Sequence, residues 1–200
     1  NKQNVFDDFA ACAEYMIDKK FTSASRIAIN GGSNGGLLTL ATMLQRPELF
    51  GAVVSHVPVT DMFRFHKFTF GAAWKSDYGD IENVKAHFNA AAAYSPLHNI
   101  KRGKKYPTTL VMTGDNDDRV VPSHAYKFVA ALNDRSPDTL GLLCVTKDAG
   151  HGAGKSKEKQ VTEIVQEHAF LTAALGPIDQ TAYKRMLQRH KKGPKKALKK

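Results

Sequence analysis

RIAINGGSNGGLLTLATMLQ, residues 26–45, sets three local patterns end to end. Arg26 to Asn30 reads as a short β-strand, the glycines at 31, 32, 35 and 36 mark a tight turn, and Leu37, Leu38, Leu40, Ala41 and Leu44 recur at helical spacing. A helix is therefore expected from about Gly35 to Gln45, ending before Pro47 because the residue ahead of a proline avoids the helical region. A strand that turns through glycine into a helix is one unit of an α/β fold. Gly31-Gly32-Ser33-Asn34-Gly35 places a G-x-S-x-G sequence in that turn, the context a nucleophile elbow requires. In such an elbow the serine takes a strained conformation, and the flanking glycines are expected to be needed because a Cβ would strike the neighbouring strand and helix. The helix N-terminus favours developing negative charge, and the backbone N–H of Asn34 can donate to an oxyanion.

The rest of the chain repeats the strand and helix alternation. Val5, Phe6, Phe9, Cys12, Ala13 and Met16 predict an amphipathic helix over residues 5 to about 19. Further strands are expected at Ala52–Val57, Thr109–Thr113 and Leu140–Val145, with helices near Glu82–Ala93, from Ser123 to about Leu132, and from about Ser156 to Leu175 on Val161, Ile164, Val165, His168 and Leu171. Strands separated by helices build a parallel sheet covered on both faces, and the continuous apolar runs at 52–57 and 140–145 read as buried parallel strands. The fold class is α/β, three layers. Residues 58 to about 105 are the least regular part, with an aromatic cluster of Phe63, Phe65, Phe68, Phe70, Trp74 and Tyr78. An excursion of that length between strands is expected to serve as a cap or binding wall.

Two hundred residues with 42% hydrophobic and 24% charged composition suit one globular domain with a packed core. No window reaches 18 consecutive apolar residues, and Asn1, Lys2, Gln3 and Asn4 do not open a signal peptide, so the chain is expected to be soluble with no membrane span. Cys12 and Cys144 lie in apolar stretches without metal-ligand spacing, and no Asn-x-Ser/Thr sequon occurs, which makes a reducing, cytoplasmic setting the expectation. The chain opens on Asn and runs almost at once into a helical pattern, so it is expected to be a piece of a longer protein. The formal charge of +10 is uneven: nine Lys or Arg and no acid lie from Lys184 to Lys200, leaving 20 basic against 19 acidic residues in 1–183. Residues 177–200 are expected to form a basic, flexible tail that could meet nucleic acid or another anionic surface through charge alone.

A serine hydroxyl becomes a useful nucleophile when a histidine takes its proton and a carboxylate orients that histidine. In this fold class the chain order is serine, acid, histidine. Asp115-Asn116-Asp117-Asp118-Arg119 follows the third strand, and Asp148-Ala149-Gly150-His151-Gly152-Ala153-Gly154 follows the fourth. Loops at the C-terminal ends of neighbouring parallel strands converge, so Ser33, one of these aspartates and His151 can meet. Spacing alone does not choose among Asp115, Asp117 and Asp118. The other seven histidines read as surface or packing residues, no His and carboxylate set has metal spacing, and no cofactor is expected.

GGSNGGLL at 31–38, DMFRFHKFTFGAAWKSDYG at 61–79, YSPLHNI at 94–100, DNDDRVVPSHAYKF at 115–128 and AGHGAGK at 149–155 together resemble the prolyl oligopeptidase family, serine peptidases of family S9 with an α/β-hydrolase catalytic domain. The resemblance runs from residue 1 to about 175. It implies cleavage of short, proline-containing peptides on the carboxyl side of proline. By motif match it implies Ser33 as nucleophile, Asp117 as the acid and His151 as general base, with the Asn34 N–H as half of the oxyanion hole. Trp74 matches the indole that stacks on the substrate proline ring, with Val59, Tyr78 and Val120 at other pocket positions, and Arg119 matches the arginine that bonds the substrate carbonyl before that proline. An apolar, rigid ring without an N–H suits a flat aromatic and aliphatic slot.

The family's catalytic domain has about eight strands, and four are expected here. Its upstream half, a second oxyanion donor from an upstream tyrosine, an upstream pocket aromatic and a β-propeller that filters substrates by size have no counterpart in these residues. Arg26–Asn30 is therefore expected to be an unpaired sheet edge.

Overall fold

The computed structural model describes residues 1–152, 155–177 and 181, so the basic run from Lys184 to Lys200 and nearly all of the expected tail lie outside the described residues. Among the described residues the elements run α1 (Gln3–Asp18), β1 (Ala28–Gly32), α2 (Asn34–Gln45), β2 (Ala52–His56), α3 (Lys75–Tyr78), α4 (Lys85–Tyr94), α5 (Pro96–Asn99), β3 (Thr108–Gly114), α6 (Ser123–Arg135), β4 (Gly141–Thr146) and α7 (Lys157–Leu175). The four strands form one parallel sheet in the order β1-β2-β3-β4. Parallel neighbours bring all four C-terminal ends to one side, and the loops leaving that side carry the expected chemistry.

Alternation along the strands separates the two faces. Ile29, Val53 and Val111 pack with Leu40 and Met43 of α2 and with Phe128 and Leu132 of α6. Ser55 lies on the same face, with its hydroxyl 3.4 Å from that of Thr39 in α2. His56, one residue on, meets Glu167 of α7 on the other face. The chain is thus a three-layer α/β structure, as the alternation of patterns predicts. A second cluster, with Phe6, Leu37, Val59, Met62, Phe65 and Tyr94, lies under the 58–100 excursion and fastens it to α1 and α2. No helix among the described residues is long and apolar enough to cross a membrane.

Several local readings shift. β1 begins at Ala28 because Ala24–Arg26 is a 3-10 turn. On α1 the inward stripe is Phe6, Ala10 and Ala13, while Val5, Cys12 and Met16 face outward. β4 is an edge strand, so its apolar run is not enclosed: Leu142, Leu143 and Val145 stay exposed. On α7 the apolar stripe of Val161, Ile164 and Val165 also points outward, and the helix meets the sheet through Glu163, Glu167 and Phe170 instead. The polar side faces the strand ends because His56, Asn30 and Thr146 offer the two glutamates partners there. β1 forms the other edge of the sheet, with no strand beyond it among the described residues.

Candidate active site

Ser33 sits at the hinge between β1 and α2 with φ 60° and ψ −115°, a region that L-residues rarely occupy. Neighbouring backbone holds it there: its N–H donates to the His56 carbonyl at 2.9 Å, and its carbonyl accepts from Gly36 and Leu37 at 3.0 and 3.1 Å. The glycine requirement falls differently from the motif. A Cβ on Gly31 would lie 2.4 Å from the Gly35 carbonyl oxygen, and one on Gly36 would lie 2.8 Å from Cα of Pro58. A Cβ on Gly35 would meet nothing within 4 Å, so the second glycine of G-x-S-x-G is not sterically required and Gly36 is. Asn34 is the first residue of α2, and no helical turn precedes it to accept its N–H.

The residue expected as the acid stands directly after β3. Asp117 is 3% exposed; its Oδ1 accepts the N–H groups of Arg119 (3.0 Å) and Val120 (2.9 Å), and its Oδ2 lies 2.7 Å from His151 Nδ1. Two backbone donors on one oxygen aim the other at the imidazole. The geometry separates the three aspartates that spacing leaves open. Asp118 is exposed, and Asp115 accepts the Ala149 N–H at 3.2 Å, tying the histidine's loop to the end of β3. That backbone bond, the largest influence on it, holds the Asp115 carboxyl below its usual range. A second strap, Asn116 N–H to the Ala149 carbonyl at 3.0 Å, joins the same two loops.

Ser33 and His151 line one cavity of about 360 Å³, together with His56, Lys155 and Glu163. Among the described residues Ser33 Oγ makes no hydrogen bond, so Asp117 and His151 are joined while the serine faces the cavity that His151 borders. Catalytic hydrogen bonds are often long without substrate and tighten only in the complex. On the cavity wall Lys155 Nζ pairs with Glu163 at 2.6 Å. Burial pushes the Glu163 carboxyl up, but the Lys155 ammonium and the Thr146 hydroxyl outweigh it and leave the group below its ordinary value. No group of three or more His, Cys, Asp or Glu side chains is arranged for a metal ion among the described residues.

The expected pocket residues also gather. Val59, Val120 and Tyr78 are buried in one apolar cluster, and Trp74 packs against it with its ring edge-on to Tyr78 at 6.3 Å and 80°. The Tyr78 hydroxyl donates to Asn34 Oδ1 at 3.1 Å, so this cluster touches the elbow itself. Arg119, next in the chain to Val120, is exposed, and its guanidinium makes no ion pair among the described residues. Sequence reading passed over Lys2 and Asp77, which meet Asn34, and His56 and Glu167, which pair at 3.0 Å beside the cavity. Single polar residues in irregular segments carry no periodicity, so no signal in one sequence marks them.

Three comparisons bear on this arrangement. The profile of the prolyl oligopeptidase family matches residues 1–177. A prolyl endopeptidase of Dictyostelium discoideum is 48% identical over 179 residues, covering 88% of this chain and 23% of its own length. A solved prolyl endopeptidase, from work on inter-domain dynamics in catalysis and specificity, superimposes with a TM-score of 0.84 at 47% identity, covering 87% of this chain and 26% of its own. A post-proline cleaving enzyme from Rickettsia typhi gives 0.80 at 37% identity, covering 85% and 24%. The chain spans about a quarter of the length of the relatives it matches.

Proposed function

The chain belongs to the prolyl oligopeptidase family, serine peptidases of the S9 type with an α/β-hydrolase fold, and from that premise we propose that it supplies the serine, aspartate and histidine of a peptidase that cleaves short peptides after proline. The observation that carries the reading is the Asp117–His151 pair at 2.7 Å, whose imidazole lines the same cavity as the strained Ser33.

In this reading a proline ring enters the slot of Trp74, Val59, Val120 and Tyr78, and the Arg119 guanidinium donates to the carbonyl preceding it. Ser33 Oγ attacks the proline carbonyl carbon while His151 Nε2 takes the hydroxyl proton. Asp117 keeps the other imidazole nitrogen protonated and stabilises the imidazolium. The carbonyl oxygen, now negative, accepts from the Asn34 N–H at the N-terminus of α2. His151 passes its proton to the departing amine, leaving an ester on Ser33. Water, deprotonated by the same imidazole, then hydrolyses the ester and restores the serine.

The free edge of β1 is where the upstream half of the family's catalytic domain would pair, bringing a second oxyanion donor, and a β-propeller would restrict access to short peptides. Two unpaired thiols, Cys12 and Cys144, support a cytoplasmic setting. The test is Ser33→Ala in the full gene product, assayed on matched peptide esters ending in proline or alanine. The reading expects hydrolysis of the proline ester by the unaltered protein and none by the variant. A preference for the alanine ester would make it an esterase or peptidase of other specificity, and activity kept without Ser33 would remove the serine mechanism.

A further inference from the structure

The carboxamide of Asn34 is held from two sides. Oδ1 accepts from the Tyr78 hydroxyl and from Lys2 Nζ, each at 3.1 Å, and Nδ2 donates to Asp77 Oδ2 at 3.1 Å. The same Asp77 oxygen accepts from Lys2 Nζ at 2.8 Å, closing a ring of Lys2, Asn34 and Asp77. Lys2 is only 13% exposed along its side chain, and its ammonium lies 5.1 Å from the centre of the Tyr78 ring. Three segments far apart in sequence thus converge on one amide: the residue preceding α1, the first residue of α2, and α3 of the excursion. Burial, then the Asp77 charge, push the Tyr78 phenol above its ordinary value, so it stays protonated and donates.

Stability is a poor account of this network. Asp77 is 45% exposed, and an ion pair with one partner so open contributes little to folding. Its effect is geometric. Asn34 follows the strained Ser33 directly, and the peptide joining them carries the N–H that faces a developing oxyanion. A tilt or shift of the first turn of α2 would turn this donor and carry the Asn34 side chain with it, breaking the side chain's bonds. A clamped carboxamide therefore resists rotation of the donor.

We propose that Asp77 and Lys2 are positioning residues that hold the Asn34 peptide in its oxyanion-binding orientation and, through Tyr78, set that orientation from the proline slot. Neither residue touches substrate; each acts through Asn34. The proposal rests on the peptidase reading above and deepens it: the network sets the donor, while Tyr78 keeps its place in the slot wall through its own apolar cluster.

A matched pair of inhibitors tests it in the full gene product. A peptide aldehyde ending in prolinal adds to the serine and forms an oxyanion; the same peptide ending in pyrrolidine fills the slot but has no carbonyl to add. Asp77→Ala should weaken the aldehyde and lower kcat by about 10- to 100-fold, the range for a displaced or missing donor. It should leave the pyrrolidine inhibitor and KM within about twofold and the melting temperature nearly unchanged. Asp77→Asn keeps an oxygen able to accept from both Lys2 and Asn34 and should recover most of the loss, while Lys2→Met should resemble Asp77→Ala. Equal losses for the two inhibitors, or none for the aldehyde, would overturn the proposal. If the unaltered protein binds neither inhibitor, the peptidase reading itself fails and the proposal with it.

Discussion

Gly114, the last residue of β3, lies directly beneath Ala149: a Cβ on it would come within 2.1 Å of the Ala149 carbonyl oxygen. The loop that carries His151 crosses the end of β3 at this point, fastened by Asp115 and Asn116. The placement of the imidazole therefore depends on Gly114, one position before Asp115, having a hydrogen where other residues carry Cβ.

Gly114→Ala should push that loop outward, cost about 1–3 kcal/mol in stability as other overpacked sites do, and slow labelling of Ser33 by a fluorophosphonate at least tenfold, since small displacements of a general base are expensive. Gly35→Ala is the contrast. Its Cβ would meet open space in the first turn of α2, so it should keep labelling within a few-fold and raise stability by a few tenths to 1 kcal/mol. Intact mass after timed labelling, with a melting curve for each variant, checks both.

Asp117 and Asp115 stand two residues apart and have separate tasks. Asp117→Asn replaces the acceptor facing His151 Nδ1 with an amide that favours the wrong tautomer, and under the proposed serine mechanism turnover should fall by about 10⁴-fold. Asp115→Asn keeps an oxygen for the Ala149 N–H and should cost less than about tenfold. Steady-state rates on a proline ester separate the two. If the Asp115 variant lost as much as the Asp117 variant, the division of labour would be wrong.

What could be read from the chain alone follows the rules that local sequence obeys. The strand, glycine turn and helix at 26–45 were legible because periodicity and glycine both act on near neighbours, and the serine, acid and histidine order was legible because parallel topology brings strand ends together. Asp117 is picked by its match to the family's motif; the contact with His151 that sets it apart from Asp115 and Asp118 depends on which oxygen meets which backbone N–H, and spacing does not encode that. α7 misled for a physical reason: its apolar stripe is regular, yet the helix turns its glutamates inward because Asn30, His56 and Thr146 await them at the strand ends. Lys2 and Asp77 were invisible because their importance arises only where three distant segments meet.

The inverted α7 leads to a test that runs against its own sequence pattern. Glu167 accepts from Asn30 Nδ2 at 2.5 Å and pairs with His56 Nε2 at 3.0 Å, with 16% of its side chain exposed. Glu167→Ala would leave the half-buried His56 without its partner while the exposed Asn30 turns to water, and should cost about 1 kcal/mol, with Glu167→Gln costing less because it still accepts from Asn30. Val165 is 60% exposed, and Val165→Ala should stay within about 0.5 kcal/mol. Denaturant midpoints measured for the three variants would contradict this placement of α7 if the valine proved the costlier loss.

His124 gives the fold an acid-sensitive point distinct from Ser33, Asp117 and His151. At the start of α6 it is 1% exposed, and its Nδ1 accepts the N–H groups of Thr60 and Asp61 at 3.2 and 3.0 Å, which requires the unprotonated nitrogen. Burial, opposed in part by the Asp61 carboxylate, pushes its pKa down from 6.5 to about 4. The folded state thus binds this proton less readily than the unfolded chain does. Above pH 6.5 neither state carries it and the site does not affect stability. As pH falls from about 6.5 to about 4 the unfolded chain takes up the proton first, and stability should decline by roughly 3 kcal/mol in total, then level off for this group. Below that window the Asp61 carboxyl adds its own loss: burial raises it, but Lys127 and Arg64 hold it under its usual range, so protonating it also favours unfolding. His124→Asn, with an amide oxygen in place of Nδ1, should keep the two backbone bonds and flatten the profile between pH 6.5 and 4. Urea midpoints across that range, for the unaltered protein and the variant, would refute the assignment if the two profiles ran parallel.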